Sequence, residues 1–257
     1  MTSLAAGTHG RKKDTVAEVF DESLIAELFD LLWGQERTAI PSVVDYAYEE
    51  TWKRVMMIGG SEEQRLSDVT LSEQLGMSRT PVRQALERLV QEGLVRSDPR
   101  RGFWTSTFTA QDIHEIYDLR GALEVLAVRL AAPRLSQEDL TAQLEALRTV
   151  RAELHGHPVL HFLQVDIRLH MLITRASNNG RLIHSLSLLR SQLCMFQMQD
   201  TFYPERMSIA LDDHEQVLLA LLAGNIDEAA DCMARHIQHA KEGVLADIFL
   251  EGKEDVS

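Results

Sequence analysis

With 257 residues, 45% of them hydrophobic, the chain is long enough for one large domain or two small ones with proper cores, and it reads as globular rather than disordered. Its formal charge of −13 argues against indiscriminate nucleic-acid binding, and two cysteines, Cys194 and Cys232, exclude a disulfide framework and a four-cysteine zinc site. No signal-like apolar run opens the chain, and the longest apolar stretch, VLLALLA at 217–223, is too short to span a bilayer, so a cytoplasmic protein with no membrane partner is expected.

In chain order, residues 1–18, with Arg11, Lys12 and Lys13, read as a mobile tail. Apolar residues then recur at helical spacing from Phe20 to Leu32, closed by Gly34 and Pro41, which predicts one extra helix in an N-terminal extension over 1–40. A helix from Val43 to Ile58 comes next, then a short one at TLSEQLG, where Leu71 and Leu75 form an i,i+4 pair and Gly76 is the stop. The third is expected to start with Thr80 as N-cap and Pro81 at the first helical position, with Val82, Ala85, Leu86 and Leu89 facing inward. After Gly93, LVRSDPRRGFWTST reads as two extended runs around the turn DPRRG. Helix, short helix, turn, helix and two-stranded hairpin is the layout of a winged helix-turn-helix, here over 41–107.

Charge is distributed to match. Residues 77–104 hold Arg79, Arg83, Arg88, Arg96, Arg100 and Arg101 against Glu87, Glu92 and Asp98, a local +3, whereas from residue 108 onward 13 basic residues face 22 acidic ones, leaving −9. A basic face confined to a helix start and a wing tip suits DNA better than it suits a merely solvated surface. Arg79 or Arg83 can present two parallel hydrogen bonds to guanine, Ser78 and Thr80 are short donors suited to phosphate oxygens, and Arg100 and Arg101 can enter a minor groove.

The remaining chain predicts a helical bundle over 108–250 and a tail over 251–257. Thr109 with Asp112, Ser136 with Asp139, and Asn225 with Glu228 mark helix starts, and helices are expected at about 110–132, 137–154, 159–176, 180–199, 205–223 and 226–249. The fold class is mostly α: an N-terminal winged helix-turn-helix followed by an all-α bundle. Four polar residues interrupt its apolar stripes: Asp166 and His170 in LQVDIRLHMLI, His214 beside Leu211 and Leu218, and His236 beside Cys232 and Met233. Buried unpaired, they cost several kcal/mol, so they need partners. As hydrogen-bonded core residues they would need nothing further; together they form an N₃O set suited to a divalent transition metal such as zinc, nickel or manganese. His239 is expected to lie off this set, and Cys232 to be a buried thiol. Arg120 is a candidate clamp for an anionic effector, and Glu124, one turn on, offers the alternative of an intrahelical ion pair.

The segment RLSDVTLSEQLGMSRTPVRQALERLVQEGLVRSDPRRGFWTS closely resembles the DNA-binding domain of the GntR family of bacterial transcription regulators, through SRTPVRQAL, LVQEGLV and the arginine-glycine wing. The resemblance covers residues 43–107 there. The helical remainder of the chain resembles the all-helical (FCD) effector domain of the FadR-type subfamily, to about residue 248, leaving the first 40 residues outside. The resemblance implies DNA contacts at Ser78, Arg79, Thr80 and Arg83 and around Arg101 and Gly102 in the wing, and a metal held by Asp166, His170, His214 and His236. The sequence departs from the family at Thr70, where many members carry a charged or polar contact to the DNA backbone, and in GGSEEQRLSD, which lacks the usual double-proline-glycine turn.

A metabolite-responsive transcription regulator is therefore expected, a repressor bound as a homodimer to a near-palindromic double-stranded DNA operator, sensing a small organic acid or related effector at a metal-containing pocket. The alternatives are a regulator in which the metal is itself the signal or purely structural, and a metal-dependent hydrolase fused to a DNA-binding module. No H-E-x-x-H motif is present, and no Ser-His-Asp or Cys-His arrangement is legible, so no enzyme is expected.

Overall fold

Capping chemistry places most of the helix starts. In the computed structural model, which describes residues 20–34, 41–60, 63–156 and 158–254, Asp21 accepts from the Leu24 amide and opens α1 (Glu22–Trp33). The expected tail over 1–18 lies outside the described residues. Helix α2 (Val43–Ile58) starts in a reciprocal Ser42–Asp45 capping box and ends at Gly59, whose φ of 78° only glycine adopts cheaply. Next along the chain are strand β1 (Arg65–Leu66), helix α3 (Asp68–Gln74), helix α4 (Arg79–Gln91), and strands β2 (Val95–Asp98) and β3 (Gly102–Thr105).

Two expectations change here. The N-cap of α4 is Ser78, with extended φ,ψ of −71° and 161°, not Thr80; Pro81 therefore stands third in the helix rather than first. A proline is tolerated there because the amides of the first turn have no intrahelical acceptor to lose. The wing is also not a two-stranded hairpin alone: β3 is the middle strand of three, pairing antiparallel with β2 and with β1. A two-residue strand is too short for its sequence period to show.

Val82, Ala85, Leu86 and Leu89 of α4 are fully buried, and α4 packs on α2. The second half is a bundle of α5 (Ala110–Ala131), α6 (Gln137–Glu153), α7 (Val159–Ala176), α8 (Gly180–Asp200), α9 (Pro204–Leu222) and α10 (Ile226–Glu254), so α10 continues into part of the expected tail. Thr109 with Asp112 forms a full capping box, and Ser136 and Asn179 cap α6 and α8. Helix α10 lies along α5 and α9, while α7 is held between α5, α6 and α8. Among the described residues no helix is long and apolar enough to cross a membrane.

The two halves meet at Glu92, the residue that ends α4. Its buried carboxylate accepts from the Tyr48 hydroxyl at 2.8 Å and the Ser191 hydroxyl at 2.7 Å, and its carbonyl accepts from Gln192 Nε2 at 2.9 Å. Trp52 Nε1 donates to Ser191 at 3.2 Å, and the Arg88 guanidinium lies 3.7 Å from the Tyr48 ring centroid. Gly93, at φ +74°, permits the approach: a Cβ there would stand 2.0 Å from Gln192 Nε2.

Burial raises the Glu92 carboxyl above its ordinary 4.5, outweighing the hydroxyl donors and Arg88. The folded state therefore holds this proton more tightly than the unfolded chain. The group's contribution to stability is full below pH 4.5 and is lost as pH rises through the raised value. Urea unfolding of the wild type and Glu92→Gln, followed by tryptophan fluorescence, should show the stability of the wild type relative to the variant falling across that window. A difference that stays flat from about pH 4 to about pH 8 contradicts the assignment.

Candidate metal centre and DNA-facing surface

Three helices bring the four predicted ligands together. Asp166 and His170, one turn apart on α7, meet His214 of α9 and His236 of α10, and one donor atom from each lies within 4.8 Å of all the others. All four are buried, His214 completely. His214 Nε2 is 3.6 Å from an Asp166 oxygen and 3.1 Å from His236 Nε2. Burial pushes both imidazoles well below the ordinary histidine range, reinforced by neighbouring His170 and Arg120, and it raises the Asp166 carboxyl. The two facing Nε2 atoms of neutral rings can share one proton at most, so lone pairs converge on a common volume. The Nδ1 atoms of His214 and His236 are buried without a hydrogen-bond partner, unlike those of an ordinary satisfied core histidine. This donor set, three imidazoles and one carboxylate in an enclosed site, fits a first-row divalent transition ion.

Surrounding side chains hold the set in place. His170 Nδ1 is hydrogen-bonded to the Glu124 carboxylate, and its Nε2 is 3.3 Å from Arg120 Nη2. Arg120 Nε donates to Glu124 at 2.8 Å, so the ion pair legible in the sequence forms, with both partners buried. Although burial pushes it up, the Glu124 carboxyl is held down at about 2 by His170 and Arg120. Gln197 of α8 donates to Asp166. Neither the Glu124–His170 bond nor Gln197 is legible in the sequence: Glu124 carries only the signal of an i,i+4 pair with Arg120, and Gln197 sits in QLCMFQMQD without a pattern. His239 lies off the cluster, 2.7 Å from Asp213, and Cys232 is a buried thiol accepting from Arg235 at 3.3 Å.

Two clefts flank the cluster. One, of about 90 Å³, reaches His170 and Glu124; the other, of about 370 Å³, reaches Asp166 and His236. Arg120 and Gln197 line both. The larger of the two has the size of a small-molecule site.

The first turn of α4 carries Ser78, Arg79, Thr80 and Arg83, all exposed. The Ser78 hydroxyl makes no capping bond, leaving it available. Arg79 pairs with Asp68 at 2.8 Å and lowers that carboxyl; Arg83 lies 4.0 Å from Asp68 and 3.7 Å from Glu87. At the wing tip the Arg100 and Arg101 amides donate to Asp98 at 2.7 and 2.8 Å, which folds the turn and leaves both side chains exposed. Gly102 takes φ +85°, so a side chain there is strained.

Two family models match: bacterial regulatory proteins of the gntR family over residues 61–104, and the FCD domain over residues 115–239. The chain belongs to the gntR family and carries an FCD domain. This gntR-family chain is similar to the HTH-type transcriptional regulator YdhC of Bacillus subtilis, 28% identical over 193 residues, 75% of this chain and 86% of the relative. It is 27% identical to the Nta operon transcriptional regulator of Aminobacter aminovorans over 71% of this chain and 85% of that one, and 22% identical to the HTH-type transcriptional repressor RspR of Escherichia coli over 70% and 78%. The solved structure of E. coli McbR/YncC shares the fold, with TM-score 0.67 and 24% identity over 82% of this chain and 100% of that one. These families and relatives are transcription regulators, not enzymes, and the chain is a transcription regulator of the gntR family.

Replacing His214 by Ala should abolish stoichiometric uptake of divalent metal, read by elemental analysis of the purified chain. Glu124→Gln should leave all four ligands in place and weaken metal affinity by about 10- to 100-fold, because the His170 ring loses the carboxylate that orients it.

Proposed function

We propose that this regulator is a repressor whose affinity for a near-palindromic double-stranded DNA operator is set by a small organic acid bound beside a metal ion. It works in the cytoplasm as a homodimer, which places two α4 helices in successive major grooves. Residues 41–107 bind DNA, 108–250 bind effector and dimerise, and 1–40 form an extension.

One observation carries the reading: α8 touches both ends of the molecule. Its Gln197 is bonded to Asp166 in the cluster, and fewer than two turns earlier its Ser191 and Gln192 hold Glu92 at the end of α4. A ligand that binds two positions of α8 unequally would shift the position of α4, the differential affinity that any such coupling requires. Asp166, His170, His214 and His236 would hold zinc, nickel or manganese, which supplies a fixed positive charge for a carboxylate to meet. Arg120 would add two-point hydrogen bonding to that carboxylate. On the DNA side, Arg79 or Arg83 reads guanine, Ser78 and Thr80 hold phosphate, and Arg100, Arg101 and Gly102 form the tip that enters the minor groove.

The buried pairing of Arg120 with Glu124 favours a second reading, in which the arginine is structural and the metal is itself the signal or a fixed strut. The two readings separate in a thermal-shift screen of organic acids with and without metal. Acids that raise the melting temperature of the metal-loaded chain alone support the first, and an Arg120→Ala response equal to wild type removes that residue from the clamp. In gel-shift titrations Arg83→Ala should weaken operator binding by roughly 1–3 kcal/mol and relax sequence preference at one position. Unchanged binding removes it from the interface.

A further inference from the structure

Hydrogen bonds from the DNA-binding half to the bundle line up along one helix, α8. Trp52 and Glu92 meet Ser191, the Glu92 carbonyl meets Gln192, and Gln199 Nε2 donates to the Gly59 carbonyl at 3.3 Å. Contacts strung along a single helix behave as a hinge line: they fix the distance between the halves but resist a roll about that line poorly.

Helix α1 closes off that roll. It lies outside both matched segments and packs on α2 of the DNA-binding half and on α7 of the bundle, so it grips the bundle on a second helix. Phe29 stacks on Trp33 at 5.1 Å, and both rings pack on Trp52, at 5.3 and 5.2 Å. Arg190 of α8 donates to the Leu32 carbonyl at 2.8 Å and its guanidinium stands 5.7 Å from the Trp33 ring centroid, so both halves hold the last turn of α1. At the opposite end, fully buried Phe20, just ahead of α1, meets Phe202 edge-on at 6.1 Å, beyond the C-terminus of α8. A helix of 12 residues is too short to persist alone in water, so its order comes from these contacts.

We propose that α1 is a strap that fixes the angle between the DNA-binding half and the bundle, and through it the half-site spacing that a homodimer accepts. The proposal rests on the homodimer reading and deepens it. With each chain locked at one angle, the two α4 helices of a dimer stand at one separation and one rotation. A single inserted base pair moves the second half-site by about 3.4 Å and turns it by about a tenth of a turn. Without the strap, roll about α8 lets each α4 follow the displaced groove.

The test is gel-shift titration of the full chain with a duplex that the wild type selects from a randomised library, and with the same duplex carrying one or two base pairs inserted at its centre. For the wild type the insertion should cost about tenfold or more in affinity. Trp33→Ala removes the ring that α2 and Arg190 share, and Arg190→Gln removes the cation while leaving the apolar face of α1 intact. Each should cut the insertion penalty to about threefold or less. Leu219→Ala, exposed on α9, should leave the penalty at the wild-type value. Melting temperatures establish that each variant is folded. If the folded Trp33 and Arg190 variants pay the wild-type penalty, or bind neither duplex, the strap is overturned while the homodimer reading stands. If the selected duplex holds no two-fold repeat, or the wild type ignores the inserted pairs, the homodimer reading falls and the strap proposal falls with it.

Discussion

One carboxylate and three imidazoles share the interior of an apolar bundle, and the cost of burying them without partners constrains everything packed around them. Asp166 takes a bond from Gln197, His170 takes Glu124, and Glu124 in turn takes Arg120, so each polar group in the layer next to the cluster is committed to another. His214 and His236 are left facing each other with their outer nitrogens lacking a hydrogen bond, that of His236 3.9 Å from Asp213. A cation at the centre would take the lone pairs of the two facing Nε2 atoms, which can share one proton at most, and this is why the cluster carries more weight than any single histidine on an apolar face.

The same layer reaches the other end of the molecule through α8. Ser191 and Gln192 stand fewer than two turns from Gln197, and they grip Glu92, the residue that ends α4 ahead of the wing. A buried carboxylate with three kinds of donor around it is a stiff joint, sensitive to small displacements of either helix. Gly93 lets the wing leave that joint without striking Gln192. The buried cluster and the end of α4 are thus linked by one rigid element and one polar hub, with the aromatic cluster of Phe29, Trp33, Tyr48 and Trp52 packed beside them.

Electrostatics divides the labour between the halves. A −9 balance over the helical region disfavours general affinity for nucleic acid, so on the proposed reading the few arginines at the start of α4 and the wing tip would matter individually. Asp68 holds Arg79, and on the proposed reading approach to DNA would exchange that pair for phosphate or base. Exposed pairs of this kind are weak, which makes the exchange cheap.

Much of this was legible from local patterns. Ser and Thr followed three residues later by Asp, the inward stripe of Val82, Ala85, Leu86 and Leu89, and the Asp166–His170 spacing are all short-range signals, and the elements they mark formed where expected to within a few residues. The start of α4 moved to Ser78, because a proline fits anywhere in a first turn and so does not mark its beginning, and β1 was too short to carry a period. Amino-acid order determined which residues point inward, which helices begin where, and which charges lie beside the DNA-facing turn. Tertiary structure alone decided which inward faces meet. Periodicity gives a helix's buried side but not its neighbour, so the bonds from Gln197 to Asp166 and from Trp52 to Ser191, the latter spanning 139 residues, exist only once the bundle has closed.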